Sequence, residues 1–213
     1  MTGSELAALL VFASAMAFTP GPNTTLSAAL AANHGLRHAL RFVCGVPVGW
    51  GLLLLACTLG LGAMVQAEPA LRALLKWGGL AYLLWLAWRL ATAPAVLAVG
   101  GAGAGAGAGA GTGGNRGFDV GFGKGVLLQF INVKAWMNAL LISSGWITVA
   151  DPVWPRLAVV LPLMMAYGLV SNLTYALVGA GLRGWLAQGT RLRAFNRVLA
   201  AVLLATAVWM AWL

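Results

Sequence analysis

Six apolar stretches run along this chain, at about 5–32, 39–66, 70–92, 122–149, 157–182 and 194–213, separated by short polar connections. Each approaches the roughly 20 residues an α-helix needs to cross a bilayer. The strict polar/apolar alternation of a membrane β-barrel is absent. A helix satisfies its own backbone hydrogen bonds in lipid, so the pattern predicts six membrane helices. Two of the stretches carry a polar break. The first is interrupted at Pro20-Gly21-Pro22-Asn23 and the fourth at Asn132-Val133-Lys134.

Composition narrows the class. Of 213 residues, 61% are hydrophobic, 29 are glycine and only 8% are charged, against roughly 25% charged in an average globular chain. So few charges cannot cover a water-facing surface, which excludes a soluble domain, a disordered chain and a water-soluble enzyme. The net charge of +9 is a topology signal rather than a nucleic-acid footprint, because no basic run is interleaved with aromatics. With six spans, Arg37, Arg41, Arg89, Arg116, Lys124, Arg183, Arg191, Arg193 and Arg197 fall on one side, and Arg72, Lys76 and Arg156 on the other. The positive-inside rule then puts the first side in the cytoplasm and both termini in the periplasm. No Lys or Arg precedes Arg37, so no cleavable leader is expected.

The two halves, 1–93 and 117–213, look alike. Each opens on a broken span. Each has a proline early in its second span, Pro47 and Pro162, and each third span ends in a W-x-A-W motif, at Trp85–Trp88 and Trp209–Trp212. Three spans per half turn the second half upside down. The fold class expected is therefore an all-α polytopic membrane protein of two inverted three-helix repeats with broken first helices. Such repeats are a transporter signature, with the substrate site near the midplane. Residues 94–116 are read as a cytoplasmic linker; from Gly100 to Gly111 they contain only glycine and alanine, a flexible composition.

The breaks nominate the site. Proline restricts the residue before it and donates no backbone hydrogen bond, so the helix must stop around Pro20, Gly21 and Pro22. Asn23 is read as the N-cap of a second half-helix running on through Thr24, with a dipole end suited to a carboxylate. Lys134 lies mid-span, where a charge costs at least about 2.5–3.5 kcal/mol, so a functional role is favoured over a structural one. Lys134 and Asn138 share one face by helical spacing; Gln129, Asn132 and Trp136 share another. In the fifth span, Tyr167, Ser171, Asn172, Thr174 and Tyr175 form a polar cluster that reads at least as well as glue between helices as it does as substrate contacts, with Asn172 and Tyr175 nominated for the site. Gly45, Gly49 and Gly168 read as close-packing positions, and His34 and His38 as solvated.

No acid lies in a span, so no carboxylate proton relay is available, and a cationic substrate would lack a counter-charge. No metal-ligand set, cofactor motif or nucleophile–base set is present. The partners expected are a small-molecule substrate and the lipid bilayer, without nucleic acid; a homo-oligomer is compatible with the sequence. Cys44 and Cys57 are the two cysteines. A transmembrane thiol–disulfide conduit of similar architecture is the alternative function, disfavoured because about 20 Å of helix separates them.

Phe18-Thr19-Pro20-Gly21-Pro22-Asn23, Asn33-His34-Gly35, the run Gly79–Trp88 and Asn132-Val133-Lys134-Ala135 together resemble the LysE/RhtB family of bacterial amino-acid exporters over nearly the whole chain except the linker. Gln129–Lys134, Ala87–Thr92 and Ser171-Asn172 are most similar to the branch exporting cysteine and O-acetylserine. The resemblance implies a secondary transporter of the inner membrane. It would export small neutral amino acids or derivatives, of the cysteine/O-acetylserine or threonine/homoserine type, by alternating access.

Overall fold

The computed structural model describes residues 1–93, 121–188 and 190–212. The Gly/Ala linker falls outside them. Helix is the only regular secondary structure among the described residues. In chain order the helices are α1 (Gly3–Phe18), α2 (Pro22–His34), α3 (Leu36–Ala56), α4 (Gly62–Ala67), α5 (Pro69–Ala91), α6 (Phe122–Ile131), α7 (Val133–Ile142), α8 (Trp154–Leu186) and α9 (Arg191–Ala211). A π-helical turn, Cys57–Leu61, carries α3 into α4, and another, Ser143–Ile147, follows α7.

The first and fourth apolar stretches are bent pairs, as expected: α1 and α2 meet at 49°, α6 and α7 at 72°. Leu36–Ala67, α8 and α9 are each long and apolar enough to cross a membrane. The third expected span, α5, forms a helix of 23 residues but does not reach the same standard of apolarity. Arg72, Lys76 and Arg89 lower it. The described helices therefore include three that qualify singly, or up to five counting each bent pair as one. The proline expected early in the second span of each half is found inside a continuous helix, Pro47 in α3 and Pro162 in α8.

Packing centres on α2, which is buried from Pro22 to Asn33 apart from a half-exposed Asn23. Its polar residues are buried with its apolar ones: Thr24, Thr25, Ser27 and Asn33 are all in the interior. Each is matched. Ser27 Oγ donates to Asn172 Oδ1 of α8 at 2.9 Å. Asn33 and Asn196 of α9 exchange a reciprocal amide pair at 2.9 and 3.1 Å. These contacts hold α2 against α8 and α9, the more firmly because unmatched polar groups are costly away from water.

Small residues let backbones touch. A Cβ on Gly125 of α6 would lie 2.7 Å from the Phe42 carbonyl of α3, and one on Gly45 or Gly49 of α3 would collide with the Phe122 or Val126 carbonyl of α6. Gly179 of α8 is equally tight on Ala28 of α2. The close-packing expectation thus holds for Gly45 and Gly49, whereas Gly168 has only ordinary contact with Pro47 at 4.0 Å.

The bundle has two chemically different ends. Gly35 turns the chain between α2 and α3 at φ +88°, and Arg183 of α8 lies against it. With the Asn33–Asn196 and Phe42–Gly125 contacts, this gathers Arg37, Arg41, Lys124, Arg183, Arg191, Arg193 and Arg197 towards one end. His34 and His38 sit there with rings 5.1 Å apart, half-buried rather than solvated. At the opposite end Arg156 pairs with Glu5 at 3.0 Å, and Trp146 Nε1 donates to the Glu5 carbonyl at 3.1 Å.

Candidate functional site

Breaking a helix frees the carbonyls of its last turn. In α1 the next residues, Thr19-Pro20, cannot continue the ladder, since proline has no N–H. Side chains from other helices fill the gap. Ser171 Oγ donates to Ala17 O at 2.5 Å, Tyr175 OH to Phe18 O at 2.9 Å, and Lys134 Nζ to Thr19 O at 3.0 Å. Three successive carbonyls are thus matched from α8 and α7. A lysine ammonium also complements the negative end of the α1 dipole.

The second half-helix starts differently from the expectation. Gly21, not Asn23, is the N-cap of α2, and Pro22 takes the first helical position, where a missing N–H costs nothing. Thr24 Oγ1 accepts from Gly21 N at 3.0 Å and closes the turn. Asn23 is instead turned to α6, where it and Gln129 exchange a reciprocal pair at 2.9 and 3.1 Å. Gln129, fully buried, also donates to Gly125 O. These two amides fasten one broken span to the other.

At the second break Asn132 is the N-cap: its side chain accepts from Lys134 N at 3.1 Å. The interruption falls at this single residue, so Gln129 on α6 and Trp136 on α7 do not share a helix face. Trp136 Nε1 donates across the break to Phe130 O at 2.9 Å. Lys134, one residue into α7, reaches the first break. Its Nζ would lie 3.3 Å from a Cβ on Gly21, so glycine there leaves room for the ammonium.

A cavity opens where the breaks cross, about 680 Å³ with its mouth and the adjoining open space counted. Of the residues nominated by sequence, Gly21, Pro22, Asn23, Thr24, Asn132, Lys134, Asn138 and Asn172 line it; Pro20, Gln129 and Tyr175 do not. Thr19, Pro47, Trp50 and Tyr167 line it without having been nominated. Pro47 had a signal, a proline within an apolar span. Thr19 had only its place beside Pro20, Tyr167 its place in the polar cluster of the fifth span, and nothing local marks Trp50. Asn196, which matters for α2, shows only as an amide in an apolar helix.

Lys134 is 9% exposed. The described acids lie at helix ends or in connections: Glu5 in the first turn of α1, Glu68 before α5, Asp151 before α8. None lines the cavity, and no group of metal-ligating side chains occurs among the described residues. Asn138 Oδ1 is buried in the cavity wall without a hydrogen-bond partner, a state that costs about 1–3 kcal/mol. Cys44 is exposed and Cys57 buried, thirteen positions apart on the α3 segment, and neither lines the cavity.

Bent helix pairs crossing at a solute-sized cavity, inside a bundle too apolar for water, define a multi-pass membrane protein of the transporter class. The LysE type translocator family matches this chain over residues 14–212. The chain belongs to that family and is a transporter, not an enzyme. The cysteine/O-acetylserine efflux protein of Klebsiella pneumoniae subsp. pneumoniae is 33% identical over 211 residues, covering 98% of this chain and 97% of its own. Proteins of the same name from Salmonella typhimurium and Escherichia coli K12 are 32% and 29% identical, each over 84% of both chains. No solved structure matches.

Proposed function

We propose that this protein is a secondary transporter of the bacterial inner membrane that exports small neutral amino acids or their derivatives, cysteine and O-acetylserine first. One observation carries the reading: the ammonium of Lys134 stands in the cavity at the crossing of the two breaks, and none of the described acids lines that cavity. A lysine ammonium has three donors, of which Thr19 O takes one. The carboxylate of an amino acid is the natural ligand for the rest. A substrate with a second positive charge would enter without a counter-charge, at the desolvation cost of an unpaired ion. The names of the relatives support cysteine and O-acetylserine over the threonine and homoserine alternative.

In this reading the two halves are inverted repeats, residues 1–93 and 117–213, joined by the 94–116 linker. Alternating access rocks one against the other around the crossed breaks. The Arg-rich end faces the cytoplasm and both termini the periplasm, supported by the gathering of seven basic residues at one end and the positive-inside rule. Of the nominated residues, Lys134, Asn138 and Asn172 face the substrate. Pro20, Gly21, Pro22, Thr24 and Asn132 shape the breaks; Asn23, Gln129 and Tyr175 hold the broken spans in place. Lipid tails, or a second copy of the chain, cover the exposed tryptophans Trp77, Trp85 and Trp88 of α5 and Trp209 of α9.

The test is export from proteoliposomes loaded with labelled cysteine or O-acetylserine. The wild type moves both. Lys134→Met lowers the rate at least about tenfold, since one lost charge-assisted contact is worth about 1.5–3 kcal/mol, while the protein stays folded by its elution profile in detergent. Wild-type flux in that variant would remove Lys134 from the site. A cysteine-free variant retaining full export excludes a thiol–disulfide conduit.

A further inference from the structure

The polar groups around the cavity divide sharply into used and unused. Thr19 Oγ1 turns back to Ala15 O. Thr24 Oγ1 is spent on Gly21, Asn23 on Gln129, and Asn132 Oδ1 on the Lys134 amide. Asn172 accepts from Ser27 and donates to Gly168 O, and Tyr167 OH accepts from Ser14. Several donors are left over, the spare N–H groups of the Lys134 ammonium among them, and one acceptor is buried with no partner, the Oδ1 of Asn138. Lys134 and Asn138 lie on one face of α7 four residues apart, which separates their Cβ atoms by about 5–6 Å. Both line the cavity; the Asn138 Oδ1 sits under its wall, and rotation of this unbonded amide turns a neutral acceptor into the cavity a helical turn from the cationic donor.

We propose that Asn138 is the ammonium-recognising residue of the site: its Oδ1 accepts from the α-ammonium of an amino acid whose α-carboxylate is held by Lys134. This assignment rests on the amino-acid reading above and deepens it. A carboxylate and an ammonium attached to one α-carbon fit the separation of the two side chains. A neutral acceptor suits the ammonium better than an acid would, because an aspartate at this position would pair with Lys134 and close the site to substrate. The pairing makes the free α-amino group, not the side chain, the feature required of every substrate. It excludes plain carboxylic acids and plain amines alike.

The experiment uses the purified full-length protein and three ligands: L-cysteine, its des-amino analogue 3-mercaptopropionate and its decarboxylated analogue cysteamine. Ligand-dependent thermal stabilisation reads binding without needing transport. The wild type binds cysteine at least about tenfold more tightly than either analogue. Asn138→Leu brings cysteine down to the level of 3-mercaptopropionate and leaves the analogue unchanged. Since 3-mercaptopropionate keeps the thiol, this outcome also rules out a thiol–Asn138 contact. Asn138→Ala, which cannot overfill the cavity, gives the same collapse of the ratio. Lys134→Met weakens cysteine and 3-mercaptopropionate together. A wild-type cysteine preference in both Asn138 variants overturns the assignment and leaves the transport reading standing. A wild type stabilised by none of the three, and exporting no amino acid from proteoliposomes, overturns the amino-acid reading itself.

Discussion

At the residue scale, two nominated side chains that look equivalent in the sequence do different work. Lys134 and Gln129 are both polar groups in the fourth apolar stretch. The first faces the cavity; the second is fully buried and exchanges both its amide functions with Asn23. Their variants should therefore separate. Gln129→Leu leaves both ends of the half-exposed Asn23 amide unmatched, at part of the about 1–3 kcal/mol that a fully buried group would lose. Purified Gln129→Leu should melt several degrees below the wild type, with the KM for export little changed. The double variant Asn23→Leu/Gln129→Leu should regain part of the loss, because removing both partners leaves nothing unsatisfied. A Gln129→Leu protein of normal stability but raised KM would make Gln129 a ligand rather than a fastening.

At the scale of elements, the end of α1 is the informative case. A break within a membrane helix is tolerated only where its freed backbone groups find partners, and Ser171, Tyr175 and Lys134 supply them here. Ser171→Ala with Tyr175→Phe should leave Ala17 O and Phe18 O without these donors. Hydrogen exchange over residues 12–18 should then accelerate several-fold while α2 is unaffected. Unchanged exchange would mean the break is held by something else. The breaks themselves were legible beforehand, because Pro20, Pro22 and a mid-span Lys134 act through local covalent geometry and burial cost. Their capping was not. Asn132 caps α7 without having been read as a cap, and Pro22 pre-empts Asn23 by taking the first helical position, so the N-cap falls on Gly21. The partners were not legible at all. Which carbonyl Ser171 meets, or that Asn33 meets Asn196 163 positions away, depends on helix packing that local pattern does not encode. Nor does the polar content of α2 announce that Thr25 and Ser27 are buried along with Thr24.

At the scale of the whole molecule, the half-helices are unequally packed. α2 lies extensively on α8, and α6 on α3, whereas α1 meets α8 and α7 meets α3 through far fewer residues. Under the proposed inversion, α6 on α3 corresponds to α1 on α8, and α2 on α8 to α7 on α3. Four equivalent contacts are therefore divided into two tight and two loose. The tight pair lies towards the Arg-rich end and depends on the backbone contacts of Gly45, Gly49, Gly125 and Gly179. A transporter resting in one of two states related by exchange of its halves has this asymmetry, with the Arg-rich end closed. The closure should then be removable. A methyl group on Gly49 meets the backbone of Val126, including its Cα at 2.6 Å, and a rigid backbone cannot swing aside as a side chain can. Overpacking of this kind costs about 1–3 kcal/mol, enough to shift a two-state population by roughly tenfold or more. In a background without Cys44 and Cys57, Ala31→Cys on the buried face of α2 should be slow to react with a membrane-impermeant thiol reagent. Gly49→Ala should raise that rate several-fold from the Arg-rich side, while Ala17→Cys on α1, half-buried in the cavity wall, becomes less reactive. Export should fall as the two states become unequal in the other direction. If Gly49→Ala accelerates labelling at both positions together, the glycine contacts hold the bundle together rather than closing one end of it, and the states must be separated by some other surface.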